Sequence, residues 1–335
     1  MRASSLLQSS IVLGTMVLST AAPSFAQQAA AVSSTSQSVS QDTSISVNDS
    51  VVMVSGRMSL GLLNGEAHEL VYDADSGRKV SELIWDLDNV LMLGAGVTVS
   101  PLSWLRLNAD VGVAVTEGEG NMDDYDWLAT NYDGYTDWST HDDLEIDNGL
   151  TLDLNAEFAI LRHNQSVLFA VVGYRHDNWS WVARGGDYIY STNYLGDTRG
   201  SFQDGVEVIS YEQTYDTPYI GIGFQADLTP VSISGRLIGS TLVSAEDEDM
   251  HHLRNIRFEE DFDNGDMIGV DFAVTYKLNA QMALVGSFKY LEFNEVKGET
   301  TVTDLTTGET YLFTGDSAGL DNETSTIALA FTYSL

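Results

Sequence analysis

The 335-residue chain contains no cysteine. Disulfides, thiolate catalysis and Cys-ligated zinc or iron–sulfur sites are therefore excluded. Basic residues are scarce: 15 Lys and Arg stand against 49 Asp and Glu, for a net charge of −34. A surface of that sign repels phosphate backbones, which excludes nucleic acid as a partner. Proline is rarer still, with four residues against 29 glycines. No run beyond the N-terminus reaches the length of a membrane helix. What is present is apolar and aromatic: 43% hydrophobic residues, 15 Tyr and six Trp. That is too much for a solvated, disordered acidic chain. It suits a turn-rich β protein, and it leaves open a membrane barrel, in which only every second residue meets lipid.

Arg2 is the only charge before Asp42, and Ile11–Leu18 form a short apolar core. Ser24-Phe25-Ala26 places small residues at the positions of a signal-peptidase site. Residues 1–26 read as a secretory signal, 27–48 as a flexible Ser/Thr/Gln-rich lead-in, and 49–335 as the folded domain. An exported chain of this kind stays in the periplasm, leaves the cell, or enters an outer membrane.

The body alternates with period two. Leu105, Leu107, Ala109, Val111 and Val113 share one face against Arg106, Asn108 and Asp110, and 150–160, 231–243, 270–276 and 327–335 repeat the pattern. This is strand periodicity. The runs exceed the usual globular strand and match the roughly 9–11 residues that cross a bilayer. Short connections at 100–103, 162–165, 229–230 and 278–281 alternate with long polar ones near 65–77, 119–146, 183–205, 245–256 and 299–322. The expected fold is a ten-stranded antiparallel up-and-down transmembrane β-barrel with long extracellular loops, an even count closed within lipid. Arg106, Asp110, Asp153, Glu157, Arg236, Asp271 and Lys289 would face its lumen with mixed sign.

Acids collect in the second and fourth loops. Asp124 and Asp126 are two apart, as are Asp249 and His251, so each pair shares a strand face. A carboxylate beside a His orients and charges an imidazole for base work. With a second carboxylate pair to hold water, these four make a hydrolytic site without metal or covalent nucleophile. From the residues alone, a solvated, self-repelling acidic face is the commoner reading of such loops. Three lookalikes fall away. Asp261–Asp266 has its Gly one place early for a calcium loop, and Phe272 stands where a closing Glu belongs. His251 and His252 are adjacent and face opposite ways. Ala183–Asp187 lacks the Lys and the strand–loop–helix context of a phosphate cradle.

The chain resembles the omptins, outer-membrane endoproteases of Gram-negative bacteria, from about Ser59 to Leu335. Gly77–Leu83 with Trp85, Gly120–Trp127, Ala183–Ser191 and Pro218–Gly221 resemble family segments in order and spacing. The resemblance implies an extracellular aspartic-type site. Asp124 and Asp126 match the family's paired aspartates, and Asp249 and His251 its Asp/His couple. It implies a basic-residue pocket at Glu69 and Asp247, with Asp137 facing the residue after the scissile bond and His141 at another functional position. Expected substrates are cationic or dibasic peptides, the expected state is a monomer, and no cofactor or metal is implied. Enteric omptins require lipopolysaccharide bound to basic wall residues. Tyr174 is retained from that set, but His176, Asn178, Thr214 and the Glu259-Glu260-Asp261 stretch depart from it, which puts lipid activation in doubt. The alternative function is a non-catalytic barrel, an adhesin or small cation channel. At ten strands it would be narrow beside the porins.

Overall fold

The computed structural model describes residues 52–335. The expected signal segment 1–26, the lead-in 27–48 and the first residues of the 49–335 domain lie outside the described residues. Fourteen strands follow in order: β1 (Met53–Tyr72), β2 (Lys79–Leu102), β3 (Leu105–Ala114), β4 (Met122–Asp126), β5 (Asp137–His141), β6 (Asp143–His163), β7 (Ser166–Arg184), β8 (Asp187–Tyr190), β9 (Thr198–Ser201), β10 (Glu207–Asp227), β11 (Val231–His251), β12 (Ile256–Lys277), β13 (Met282–Asp304) and β14 (Glu309–Ser334). Ten of them close an antiparallel ring, β1-β2-β3-β6-β7-β10-β11-β12-β13-β14 and back to β1. The four short strands continue sideways from the upper part of β2 as β4-β5-β8-β9.

The barrel is taller than its sequence pattern suggested. Much of the polar sequence read as loops is strand: β1 runs to Tyr72, β11 to His251, and β13 and β14 are joined by a tight turn at 305–308. At 21 residues, β11 is about twice what a bilayer requires. Its upper half stands clear of the apolar belt.

That belt is made by the outward face of the lower strands. Met58, Leu60, Ile220, Ile222 and Leu329 are each more than half exposed, and Val97, Leu237 and Phe272 join them. Water disfavours a closed ring of apolar side chains; hydrocarbon does not. The inward face is polar and paired. Arg57 contacts Asp110, Arg106 lies 2.5 Å from Glu157, Arg175 grips Asp177 through two 2.6 Å bonds, and Arg236 bonds Asp271 at 2.7 Å. Gln225 bonds Arg106, Asn108 and Asn155 lead to Asp153, and Asp153 lies 3.8 Å from both Arg175 and Arg236. Lys289 lies in the same layer, beside a cavity it shares with Asp110, Asp153 and Asp177. The expected mixed-sign lumen is present, and it fills the bore rather than opening a channel.

Strand parity changes at one level of the barrel. β2, β11, β12 and β13 each carry one extra residue there, β11 between Ser240 and Val243, β12 between Phe262 and Gly265. Asn89 and Asn264 take left-handed backbone (φ 53° and 61°) at the extra residues of β2 and β12, a conformation Asn tolerates better than most side chains. Such a bulge turns every later side chain to the opposite face. Below it, Val231, Ile233 and Leu237 point outward; above it, Val243, Asp247 and Asp249 on the same odd parity are buried inside. The Asp261–Asp266 segment set aside as a calcium loop contains the β12 bulge.

Candidate active site

Above the bulges the barrel is lined by acids and aromatics. Trp85, Trp181 and Tyr211 meet across the lumen as a floor, with ring centroids 5.2–6.1 Å apart. Gln213 of β10 reaches across to donate 3.2 Å from the His68 carbonyl on β1 and 3.3 Å from that of Asp321 on β14. This cross-brace pinches the barrel and draws Glu69, the neighbour of His68, toward Asp247, the cross-strand partner of Gln213.

On one wall, β4 and β5 extend the inward face of β2. Ser81 is opposite Asp126, which is opposite Asp137; Leu83 is opposite Asp124, which is opposite Ser139. Ser81 Oγ lies 3.4 Å from Asp124 Oδ1. The period-two reading of Asp124 and Asp126 thus matches their placement. On the other wall, Asp249 Oδ2 lies 2.7 Å from His251 Nε2, with Asp249 buried and the imidazole partly open. Beyond that ring, neither oxygen of Asp249 has a hydrogen-bond partner among the described residues. Asp124, Asp126, Asp137, Ser139, Tyr190 and His251 line one cleft of about 380 Å³. Asp249 sits behind His251 rather than in the opening.

The carboxyls repel one another across a dry site. Burial, then the charge of Asp126, pushes Asp124 well above the carboxylate range, against the opposing pull of Arg254. Burial also raises Asp126, partly offset by a hydrogen bond from Ser81 and reinforced by the charge of Asp137. Two such groups side by side hold a proton between them at pH values where isolated carboxyls would not.

Deeper lies a second acidic group. Glu69 is 2% exposed and Asp247 is 7% exposed. Tyr211 OH donates to Asp247 at 2.8 Å, while Glu69 Oε2 has no hydrogen-bond partner among the described residues. Burial, then the charges of Asp249, Glu260, Asp247 and Asp124, pushes Glu69 far up.

A family model of the omptins matches residues 50–335. The chain belongs to the omptin family. This omptin is 33% identical over 275 residues to the plasminogen activator of Yersinia pestis, covering 82% of this chain and 87% of that one. It is 28% identical to the outer membrane protease OmpP of Escherichia coli K12, over 84% of this chain and 90% of that one. The crystal structure of outer membrane protease OmpT from E. coli superposes with a TM-score of 0.80 at 26% identity, over 84% of this chain and 97% of that one. The barrel is therefore an outer-membrane β-barrel, and its relatives are proteases.

Two expected site residues of this omptin sit apart from the cleft. His141 is completely buried. Its Nδ1 lies 2.6 Å from the Gly185 carbonyl, its Nε2 lies 3.2 Å from Ser139 Oγ, and its ring stacks on Phe202. Both nitrogens are thus engaged in positioning Ser139 and the start of β8. A Cβ on Gly186 (φ 99°) would fall 2.1 Å from the Thr140 carbonyl and 2.8 Å from His141 Nδ1, so only glycine allows that approach. Tyr174 lies on the outer wall, where its hydroxyl donates to Asp216, also 2.9 Å from His176 Nδ1.

Sequence reasoning missed two others. Arg254, in the turn after β11, lays its guanidinium against the imidazole, with Nη2 3.1 Å from His251 Nε2, and lines the cleft. Glu260 was grouped with Glu259 and Asp261 on the outer wall. The structure corrects this: Glu259 and Asp261 face out, and Glu260 is 3% exposed inside. Strand alternation was the signal that separates the middle residue from its neighbours.

Proposed function

We propose that this omptin is an outer-membrane endopeptidase that cleaves beside basic residues with a water activated by His251. The observation that carries this reading is His251, 2.7 Å from the Asp249 behind it, lining one cleft with the Asp124–Asp126 pair, above buried carboxylates that form no ion pair among the described residues. A water held between the couple and the aspartates gives its proton to His251 as its oxygen attacks the peptide carbonyl. Asp249 orients the ring and stabilises the imidazolium that forms. Asp126 holds the water. Asp124, raised by burial, carries a proton it can donate to the developing oxyanion. His251 then passes its proton to the leaving amine.

Glu69 and Asp247 take the basic side chain before the scissile bond. Asp137, buried at the cleft wall where it accepts the Ser191 N–H at 2.8 Å, faces the residue after it. A cationic substrate is drawn in by the field of the acidic rim. The ion pairs that fill the lumen speak against a channel, and a mere adhesin has no use for buried, unpaired carboxylates.

The outer wall beside Tyr174 carries Asp216, Glu212, Glu246, Glu259 and Asp261. Carboxylates cannot hold lipid phosphates as a basic cluster does. We infer that lipopolysaccharide is not required. The test is cleavage of a peptide with one central Arg-Arg bond by purified, refolded protein, with and without lipopolysaccharide, the products mapped by mass spectrometry. Cleavage between or beside the arginines under both conditions is expected. No cleavage under either condition would overturn the peptidase reading, and cleavage only with lipopolysaccharide would overturn the lipid inference.

A further inference from the structure

We propose that Glu260 is a third specificity-determining carboxylate of the basic-side-chain pocket, in direct contact with the substrate's cation alongside Glu69 and Asp247. The assignment rests on the peptidase reading above and adds to it a residue that the Glu69–Asp247 pair does not include.

The geometry is that of two adjoining strands. Asp247 on β11 and Glu260 on β12 are cross-strand partners on the inward face. Like charges directly opposite one another destabilise a sheet, and burial removes the water that would screen them. Their carboxyls face one another closely enough for one proton to bridge them. Thr300 on β13 lies beside Glu260, yet Oε2 of Glu260 and Oγ1 of Thr300 are both buried without a hydrogen-bond partner among the described residues. Oε2 of Glu69 is left the same way. Among the described residues, no basic side chain forms an ion pair with Glu69, Asp247 or Glu260, whereas the arginines of the lumen below are matched with acids.

A buried carboxylate without a counter-charge is costly to the fold. Two buried oxygens without partners among the described residues, on carboxylates grouped with Asp247, describe the imprint of a cation that arrives from outside. The incoming ammonium or guanidinium supplies the missing donors and displaces the shared proton to solvent. The groups facing Glu260 are all acidic or neutral: Asp247 and Asp249 from β11, Glu69 from β1, Tyr211 from β10 through Asp247, and Thr300 from β13. Burial, opposed by the polar neighbours Thr300 and Asp247, pushes Glu260 up to about 7. Proton release on binding therefore falls in the neutral range.

The experiment compares wild type, Glu260→Gln and Glu260→Asp on two peptides that differ only before the scissile bond, where one has arginine and the other citrulline, its neutral isostere. Loss of one charge-assisted contact lowers kcat/KM by about tenfold or more. The expected result is that E260Q loses about that factor on arginine, mainly through KM, and little on citrulline, while E260D falls between. Wild-type KM for the arginine peptide should also drop as pH rises from about 6 to 8, and E260Q should flatten that dependence. Equal losses on both peptides, or an unchanged arginine preference in E260Q and E260D, would overturn the role of Glu260 and leave the peptidase reading intact. Absence of cleavage by wild type would overturn both.

Discussion

Replacing Glu69 by Gln should weaken catalysis and strengthen the fold at once. Glu69 is 2% exposed, its Oε2 has no hydrogen-bond partner among the described residues, and four other carboxylates face it. Its charge is therefore held against burial and repulsion. A substrate cation relieves both, and a charge-assisted contact of this kind contributes roughly 1.5–3 kcal/mol. At about 1.4 kcal/mol per decade, Glu69→Gln should lower kcat/KM on an arginine peptide by roughly 10- to 150-fold and leave a citrulline peptide nearly unchanged. The stability effect has the opposite sign. A carboxyl raised in the folded state binds its proton more tightly there than in the unfolded chain. Its contribution is present below the unfolded value and is lost as pH rises through the folded one. Glu69→Gln should therefore do little at pH 4 and stabilise at pH 8. The assay pairs steady-state kinetics on the two peptides with unfolding midpoints at both pH values. Equal kinetic losses on both peptides, or destabilisation at pH 8, would refute the reasoning.

Asp249→Asn should keep the barrel but depress cleavage of all peptides alike by about two orders of magnitude or more, since the amide cannot stabilise the imidazolium; a change confined to one peptide would contradict this. Raising salt from about 0.1 M to about 1 M shortens the screening length from about 10 Å to about 3 Å, so kcat/KM on cationic peptides should fall while kcat holds, as an initial-rate series will show. Arg236→Met leaves Asp271, Asp153 and Glu157 without their shared cation; the cost of roughly 3–5 kcal/mol for such a break should appear as a lower unfolding midpoint in detergent.

Much of the barrel could be read from the chain because lipid and lumen impose opposite chemistry on alternate residues. Leu107 and Val111 against Arg106 and Asp110 define a strand without any tertiary information. The bulges could not be read. One extra residue between Ser240 and Val243 leaves no compositional mark, yet it decides that Asp247 and Asp249 enter the lumen when the lipid-facing parity of Val231 and Leu237 would carry them outside. Loop-like composition misled for a related reason: above the belt β13 is largely polar, and the tip of β14 exposes Tyr311, Leu312 and Phe313 in succession, so the period that marks a strand disappears. Asp124, Asp126, Asp249 and His251 were found through spacing and family resemblance together. His141 matched by position, but its engaged ring nitrogens are a property of the packed loops. Arg254 lies in a short turn with no periodicity, and only the folded chain brings it to His251.

The most direct measurement is a mass-spectrometric map of cleavage of one Arg-Arg peptide by wild type, His251→Ala and Asp124→Asn, each first shown to migrate as a folded barrel. The mechanism requires cleavage beside arginine by the wild type and its near-complete loss in both variants. Near-normal cleavage by either folded variant would contradict a water activated between the His251 couple and the paired aspartates.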